Sequence, residues 1–312
     1  MKSQPMAGFL FSLLAITMWG TLPIVLQVVL KVIDAQTIVW FRFVVAAMGL
    51  FLLLYFAKKL PNFTAFFRQY RGLWVIGVIG LSCNFFLFNL ALKYIPAAAS
   101  QVISPISTFV MVMVGVVWFK ETFGVHQKIG FVLVVIGLGM FFNNNFSDFA
   151  EMNAYAYGIL LAISASLIWI GYSISQKLML AHFNSQQILL MIYFGCAIVF
   201  TPTADLSQMQ GLTTFQTVCL IYCGLNTVIA YGSYAEALNR WEVSKVSLMM
   251  TLIPVMTLLF SALFHKLDPE QFPSNSLNFI GYMGAIVVVM GAMLAAVGHK
   301  IFYRYQLDIR KR

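Results

Sequence analysis

Ten apolar runs separated by short polar breaks organise this chain. The first five read as about Ala7 to Leu30, Thr37 to Phe56, Gly72 to Leu92, Ala97 to Phe119 and Gln127 to Phe142. The second five read as about Tyr155 to Gln176, Gln186 to Thr203, Phe215 to Leu238, Val243 to Phe264 and Asn278 to Gly298. A helix needs about 20 mostly apolar residues to cross roughly 30 Å of hydrocarbon, where backbone groups find no water to bond. The pattern predicts an all-α membrane protein with ten transmembrane helices, the fifth and seventh being short.

Composition agrees, since 61% of the residues are hydrophobic and 9% charged, against roughly 25% charged in soluble domains. The net charge of +9 sits in loops and tails, with no basic stripe for nucleic acid. With the N-terminus inside, one side collects 15 of the 19 basic residues, leaving Lys31, Lys93 and Lys266 opposite and Arg42 within a run. The positive-inside rule then places both termini in the cytoplasm, which an even number of spans permits. Lys2 precedes an apolar run with no small-residue cleavage pattern, which favours an uncleaved first span. Cys83, Cys196, Cys219 and Cys223 all fall in apolar runs, so neither a disulfide framework nor a zinc site is indicated.

The halves are related in sequence. GFLFSLLAITMWG from Gly8 matches GILLAISASLIWI from Gly158, setting Trp19 over Trp169. Ala91 and Leu92 match Ala237 and Leu238, which sets Thr108 over Pro254, and Gly130 and Gly137 match Gly284 and Gly291. Residues 1–142 thus form one five-helix repeat, 143–154 a periplasmic linker, 155–298 a second repeat and 299–312 a basic cytoplasmic tail. An odd number of helices per half makes these two inverted five-helix repeats, a known basis for alternating access around a midplane site. Helices 3 and 4 are expected to face 8 and 9 around that cavity.

The segments MWGTLPIVLQ from Met18, WFRFVVAA from Trp40, ALKYIPAAAS from Ala91, VVWFKE ending at Glu121 and ALNRWEVSKVSLMMTLIPVMTLL from Ala237 resemble the drug/metabolite transporter superfamily, specifically its EamA-type ten-helix members. The match covers nearly the whole chain. It departs from the family at Thr108, where a proline is usual and Pro105 stands one turn earlier, and at Leu267, which offers no partner to the acidic Glu121. The resemblance implies a carrier of amino acids, related metabolites or drugs in the bacterial cytoplasmic membrane.

A path through hydrocarbon should be lined by polar and aromatic groups facing the bundle interior. Ser244, Ser247, Thr251 and Pro254 recur on one face of the ninth helix, and Ala98, Gln101, Pro105 and Thr108 are their counterparts on the fourth, which also carries Ser104. Each proline frees a carbonyl and offers a kink. Asn84 with Phe88, and Thr227 with Tyr231 and Tyr234, share faces of the third and eighth helices, and Ser173 lies one turn beyond Trp169. Candidate substrate contacts are therefore Trp19, Asn84, Phe88, Gln101, Ser104, Thr108, Trp169, Ser173, Tyr231, Tyr234, Ser247 and Thr251. Against this stands ordinary packing, with hydroxyls bonded to their own helices.

Pro105, Pro254, Glu236, Arg240 and Arg42 are the candidates for gating or charge. Glu236 could take up a proton or meet a cationic cargo, but Arg240 four positions on makes an i,i+4 ion pair the simpler expectation. Arg42 lies roughly 8 Å inside its helix at 1.5 Å per residue, within reach of snorkelling to the interface as an anchor.

An intramembrane enzyme would need a metal, activated water or a nucleophile with its base. His126, His182, His265 and His299 all fall at span ends or in loops, and no H-E-x-x-H or mid-span aspartate pair exists. The reading is a transporter, not an enzyme, that exports or exchanges small amino-acid-like, aromatic or amphipathic metabolites. It needs no cofactor or metal. Its expected partners are a small-molecule substrate and the lipid bilayer, not nucleic acid, with the chain a monomer or weak homodimer. A receptor or scaffold without transport is the alternative.

Overall fold

Helix starts are written in the polar breaks. Asp34 accepts the Thr37 N–H at 2.7 Å, Asn62 accepts from Ala65 at 3.0 Å, and Asn184 and Thr213 form capping boxes with Gln187 and Gln216. Such side-chain acceptors satisfy donors that a helix terminus leaves open. The computed structural model describes residues 4–118, 124–273 and 277–310. The side chains of Thr108, Val243 and Ser244, most of those from 111 to 118 and all from 297 on lie outside that description.

The described residues are all helical or irregular, with no strand. In order the helices are α1 (Pro5–Val29), α2 (Ala35–Phe56), α3 (Phe63–Ala91), α4 (Ala97–Ile103), α5 (Pro105–Trp118), α6 (Val125–Phe141), α7 (Phe146–Ala150), α8 (Ala154–Met179), α9 (Ser185–Phe200), α10 (Thr214–Arg240), α11 (Val243–Met250), α12 (Ile253–Leu267) and α13 (Phe279–Arg310). Among the described residues, seven stretches are long and apolar enough to cross a membrane, taking Lys245–Leu267 as one. An eighth counts if α6 and the segment Asn143–Ala150, bent 58° from it, form one unit, and α9 is a shorter apolar helix.

Three helices depart from the continuous spans expected. α3 breaks at Tyr70, where φ is −121° and ψ 15°, so its second part matches the run expected from Gly72. The fourth run divides into α4 and α5 at Ser104, and the ninth divides into α11 and α12 at Thr251 and Leu252. Proline explains both of the latter breaks, because it lacks an N–H and its ring clashes with the carbonyl four residues back. Pro105 would leave the Gln101 carbonyl without its helical donor, and Ser104 supplies two, from N at 3.2 Å and Oγ at 2.8 Å. Near Pro254, the Thr251 hydroxyl donates to the Leu248 carbonyl at 2.7 Å. Lys120 and Glu121 lie outside the described residues.

The helices pack as antiparallel pairs. α1 lies along α10, with the Gln4 N–H on the Arg240 carbonyl at one end and Thr21 hydrogen-bonded to Tyr222 farther along. α3 lies along α8, joined by Ser175 Oγ to the Leu73 carbonyl and Asn84 to the Ala165 carbonyl. α2 lies along α9, with Trp40 Nε1 donating to Thr201 and Gln187 to the Lys59 carbonyl.

The α6–α13 pair is the tightest. Gly130 meets Gly291 and Gly137 meets Gly284, and a Cβ built on Gly284 would stand 2.4 Å from the Phe141 nitrogen. Small residues let helix backbones approach this closely, which drives association where lipid offers no hydrophobic contrast.

Polar caps close the bundle ends. Gln208 Nε2 donates to both Asp34 and Asp205, while Asp34 N–H donates back to Gln208. Ser207 and then Gln208, donating to Asp205, hold its carboxyl below the usual carboxylate range. At the other end Tyr70 hydrogen-bonds His182. The flanks between are apolar, with Met48, Phe51, Val135, Phe194 and Met290 exposed as suits lipid.

Candidate functional site

Arg42 sits one turn from Val39 and Ala46 on the buried face of α2 and is 2% exposed. Its Nε donates to Thr227 Oγ1 of α10 at 3.2 Å, and the guanidinium carbon lies 4.4 Å over the Phe85 ring of α3. No other hydrogen bond or ion pair of the guanidinium exists among the described residues; Arg240 pairs with Glu236 and Lys245 with Glu242 elsewhere. The snorkelling anchor expected from sequence is thus corrected, because the side chain turns inward to a hydroxyl and an aromatic face. A charged residue at the centre of a spanning helix costs about 2.5 to 3.5 kcal/mol on insertion scales. A neutral hydroxyl and one cation–π contact worth up to about 2 kcal/mol offset part of that.

Around Arg42 stand tyrosines and tryptophans from four helices. Tyr231, Tyr193 and Cys223 lie within electrostatic reach of the guanidinium. Tyr231 of α10 is 6.2 Å from Tyr193 of α9 and 5.3 Å from Trp19 of α1, edge to face, between ring centroids. Trp19 also meets Tyr234 at 5.5 Å. On α8, Trp169 is 6.2 Å from Tyr172 and its side chain approaches the Tyr231 hydroxyl. Trp19, Trp169, Tyr231 and Tyr234 are half-buried, whereas Tyr172 and Tyr193 are fully buried with hydroxyls that have no hydrogen-bond partner among the described residues.

Trp19, Trp169, Tyr231, Tyr234 and Arg42 are therefore brought to one place. Phe88 is half-buried against the neighbouring core around Leu26, Ile38 and Leu92. Asn84 is spent on the Ala165 carbonyl at 2.8 Å. Ser104, Ser173 and Thr251 donate to carbonyls of their own helices. Gln101 is buried, and its amide makes no hydrogen bond among the described residues, while Ser247 is half-buried. The Thr108 and Ser244 side chains lie outside the described residues.

Pro105 and Pro254 mark the two helix breaks. Arg240 binds Glu236 at 2.9 Å, both side chains being 30% exposed, and lies over the Phe11 ring. Of the expected grouping of helices 3 and 4 with 8 and 9, the fourth run does meet the ninth, where α4 packs on α12. The third and eighth runs do not pair with each other: α3 packs on α8 and α9, and α10 on α1 and α2, with its Tyr231 and Tyr234 against Trp19.

Tyr172, Tyr193 and Phe85 were not among the sequence candidates. Tyr193 carried a usable signal: the 150-residue offset that sets Trp19 over Trp169 also sets the cap Asp34 over Asn184 and Phe43 over Tyr193.

The comparisons with known proteins fit this architecture. The family model for the EamA-like transporter family matches residues 6–143 and again 156–297. An uncharacterized transporter of Haemophilus influenzae is 54% identical over 96% of this chain and 98% of its own length. The uncharacterized inner membrane transporter YhbE of Escherichia coli is 39% identical over 97% and 95%. A probable amino-acid metabolite efflux pump of Escherichia coli is 21% identical over 70% and 75%. A solved crystal structure with 16% identity aligns at a TM-score of 0.65 over 96% of this chain and 99% of that one, a likeness in fold. The chain belongs to the EamA-like transporter family, with two copies of the family unit, and is a membrane transporter, not an enzyme.

Proposed function

We propose that the chain is a secondary carrier of the bacterial inner membrane that exports or exchanges small amphipathic metabolites by alternating access. The observation that carries this is the half-buried cluster of Trp19, Trp169, Tyr231 and Tyr234, drawn from both halves and set against buried Arg42. Aromatic rings with polar tips suit a small pocket for cargo with an apolar body and a polar end. The free Gln101 amide adds a polar contact. The efflux pump among the relatives supports export of amino-acid-like compounds, and the inner-membrane relative supports the location.

Ten spans in two inverted repeats complete the proposal, with residues 1–142 and 155–298 as the repeats. α6, α9 and the broken α4–α5 run supply the three spans beyond the seven that length alone picks out. Two observations support the inversion. The repeat-related helices α2 and α9 lie antiparallel, as do α6 and α13. Contacts also exchange between halves, since α1 on α10 mirrors α8 on α3. The basic residues support cytoplasmic termini and a periplasmic 143–154 linker.

The test is transport in reconstituted vesicles. Purified protein should accelerate counterflow of at least one amino acid or aromatic metabolite, and substitution of Tyr231 by Phe or Trp19 by Ala should reduce the rate with the fold retained. If no amino acid, amine or aromatic compound moves under any imposed gradient, a receptor or scaffold becomes the better reading.

A further inference from the structure

Arg42 is the one charged side chain buried among the described residues, and no ion pair joins it to a carboxylate there. Of the chain's 10 acidic residues, only Glu236 falls within a predicted apolar run, and it is paired with Arg240. Asp34 and Asp205 are engaged by Gln208 at the bundle end. The Arg42 fork thus has its Nε spent on Thr227 and its flat face on Phe85, leaving the terminal nitrogens as donors. The fully buried Tyr172 and Tyr193 hydroxyls, both without hydrogen-bond partners among the described residues, belong to the same cluster.

We propose that Arg42 is the anchor for a carboxylate on the cargo, with the Tyr193 hydroxyl as a second donor, so that the carrier selects organic monocarboxylates with an apolar or aromatic body. This rests on the carrier reading above and names the substrate class for that site. A planar guanidinium presents paired N–H donors matched to a carboxylate, and a charge-assisted pair is strong where water is excluded. The charge balance selects a monoanion: one arginine neutralises one carboxylate, whereas a phosphate dianion would leave an uncompensated charge among aromatic rings. Trp19, Tyr231 and Tyr234 then receive the cargo's body, and their faces accept an ammonium as well, so free amino acids fit along with simple acids.

The experiment measures binding to purified full-length protein using L-phenylalanine, L-leucine and 3-phenylpropionate, set against phenethylamine, isoamylamine and phenylalaninamide, which lack the carboxylate. At least one acid should raise the melting temperature, with at least 10-fold tighter binding than its amine or amide. Arg42→Lys should weaken acid binding at least 10-fold, and Tyr193→Phe about 3- to 10-fold, with weak amine binding unchanged in both. Should Arg42→Lys fail to fold, the wild-type ligand series and Tyr193→Phe decide.

The proposal is overturned if an amine or amide binds as tightly as its acid, if no acid binds, or if either folded variant keeps wild-type acid affinity. Vesicle transport separates this from the carrier reading. Movement of amines or neutral compounds alone would keep the carrier and remove the anion site, whereas acids that bind but never move would keep the site and remove the carrier.

Discussion

Asn84 donates from its amide nitrogen to the Ala165 carbonyl at 2.8 Å, fastening a side chain of the first half to the backbone of the second. The contact lies where α3 runs along α8, and Ser175 makes a similar link from the opposite direction to the Leu73 carbonyl at 2.6 Å. Interhelical hydrogen bonds of this kind contribute about 0.6 kcal/mol on average and up to about 2 kcal/mol. Asn84→Leu should therefore lower the melting temperature by a few degrees while leaving cargo affinity within about twofold. A large loss of affinity in a protein of unchanged stability would instead make Asn84 a substrate contact.

The glycines of α6 and α13 predict a sharper contrast. A side chain at Gly284 would meet the Phe141 nitrogen at 2.4 Å and the Gly137 carbonyl at 2.7 Å, and neither backbone atom can rotate away. Overpacking a well-fitted contact costs about 1–3 kcal/mol. Gly284→Val should thus sharply reduce the yield of monodisperse protein on size-exclusion chromatography. At Gly139 an added Cβ would meet no neighbouring element within 4 Å among the described residues, so it is the matched control, and Gly139→Val should elute like the wild type.

The apolar runs were legible because a span has one dominant requirement, length without charge, and α1, α2, α8 and α10 each begin and end within a few residues of their runs. The exact breaks at Ser104 and Thr251 were not, since proline marks a weak point but local hydroxyls decide how the backbone is repaired. The site was legible in part. Trp19, Trp169 and Tyr231 stood out through repeat and spacing, yet the inward turn of Arg42 depends on Thr227, 185 positions away. Periodicity along one helix carries no information about such a partner. Ser104, Ser173 and Thr251 each donate to a carbonyl of their own helix, because in a helix a hydroxyl finds its own backbone first.

Glu236 gives a prediction of small effect. Its carboxylate is held by Arg240 one turn on, at a partly exposed helix end, and i,i+4 pairs contribute about 0.2–0.5 kcal/mol. Glu236→Gln should change stability by no more than that and keep transport within about twofold at every pH. A flux that loses its pH dependence in this variant would make Glu236 the proton acceptor of the cycle.

The breaks before Pro105 and within two residues of Pro254 stand at corresponding places in the two halves. Symmetry-related weak points are what a carrier needs if each half opens toward its own side, since a hinge absorbs its motion in a few backbone angles. In an unbroken helix the alanine N–H would recover the i−4 hydrogen bond that proline forfeits. Pro105→Ala and Pro254→Ala should therefore each raise thermal stability slightly and slow counterflow several-fold, with cargo affinity retained. The double variant should be slower than either. Measured side by side, a double variant that transports at the wild-type rate would show that these breaks are fixed bends and that the motion lies elsewhere.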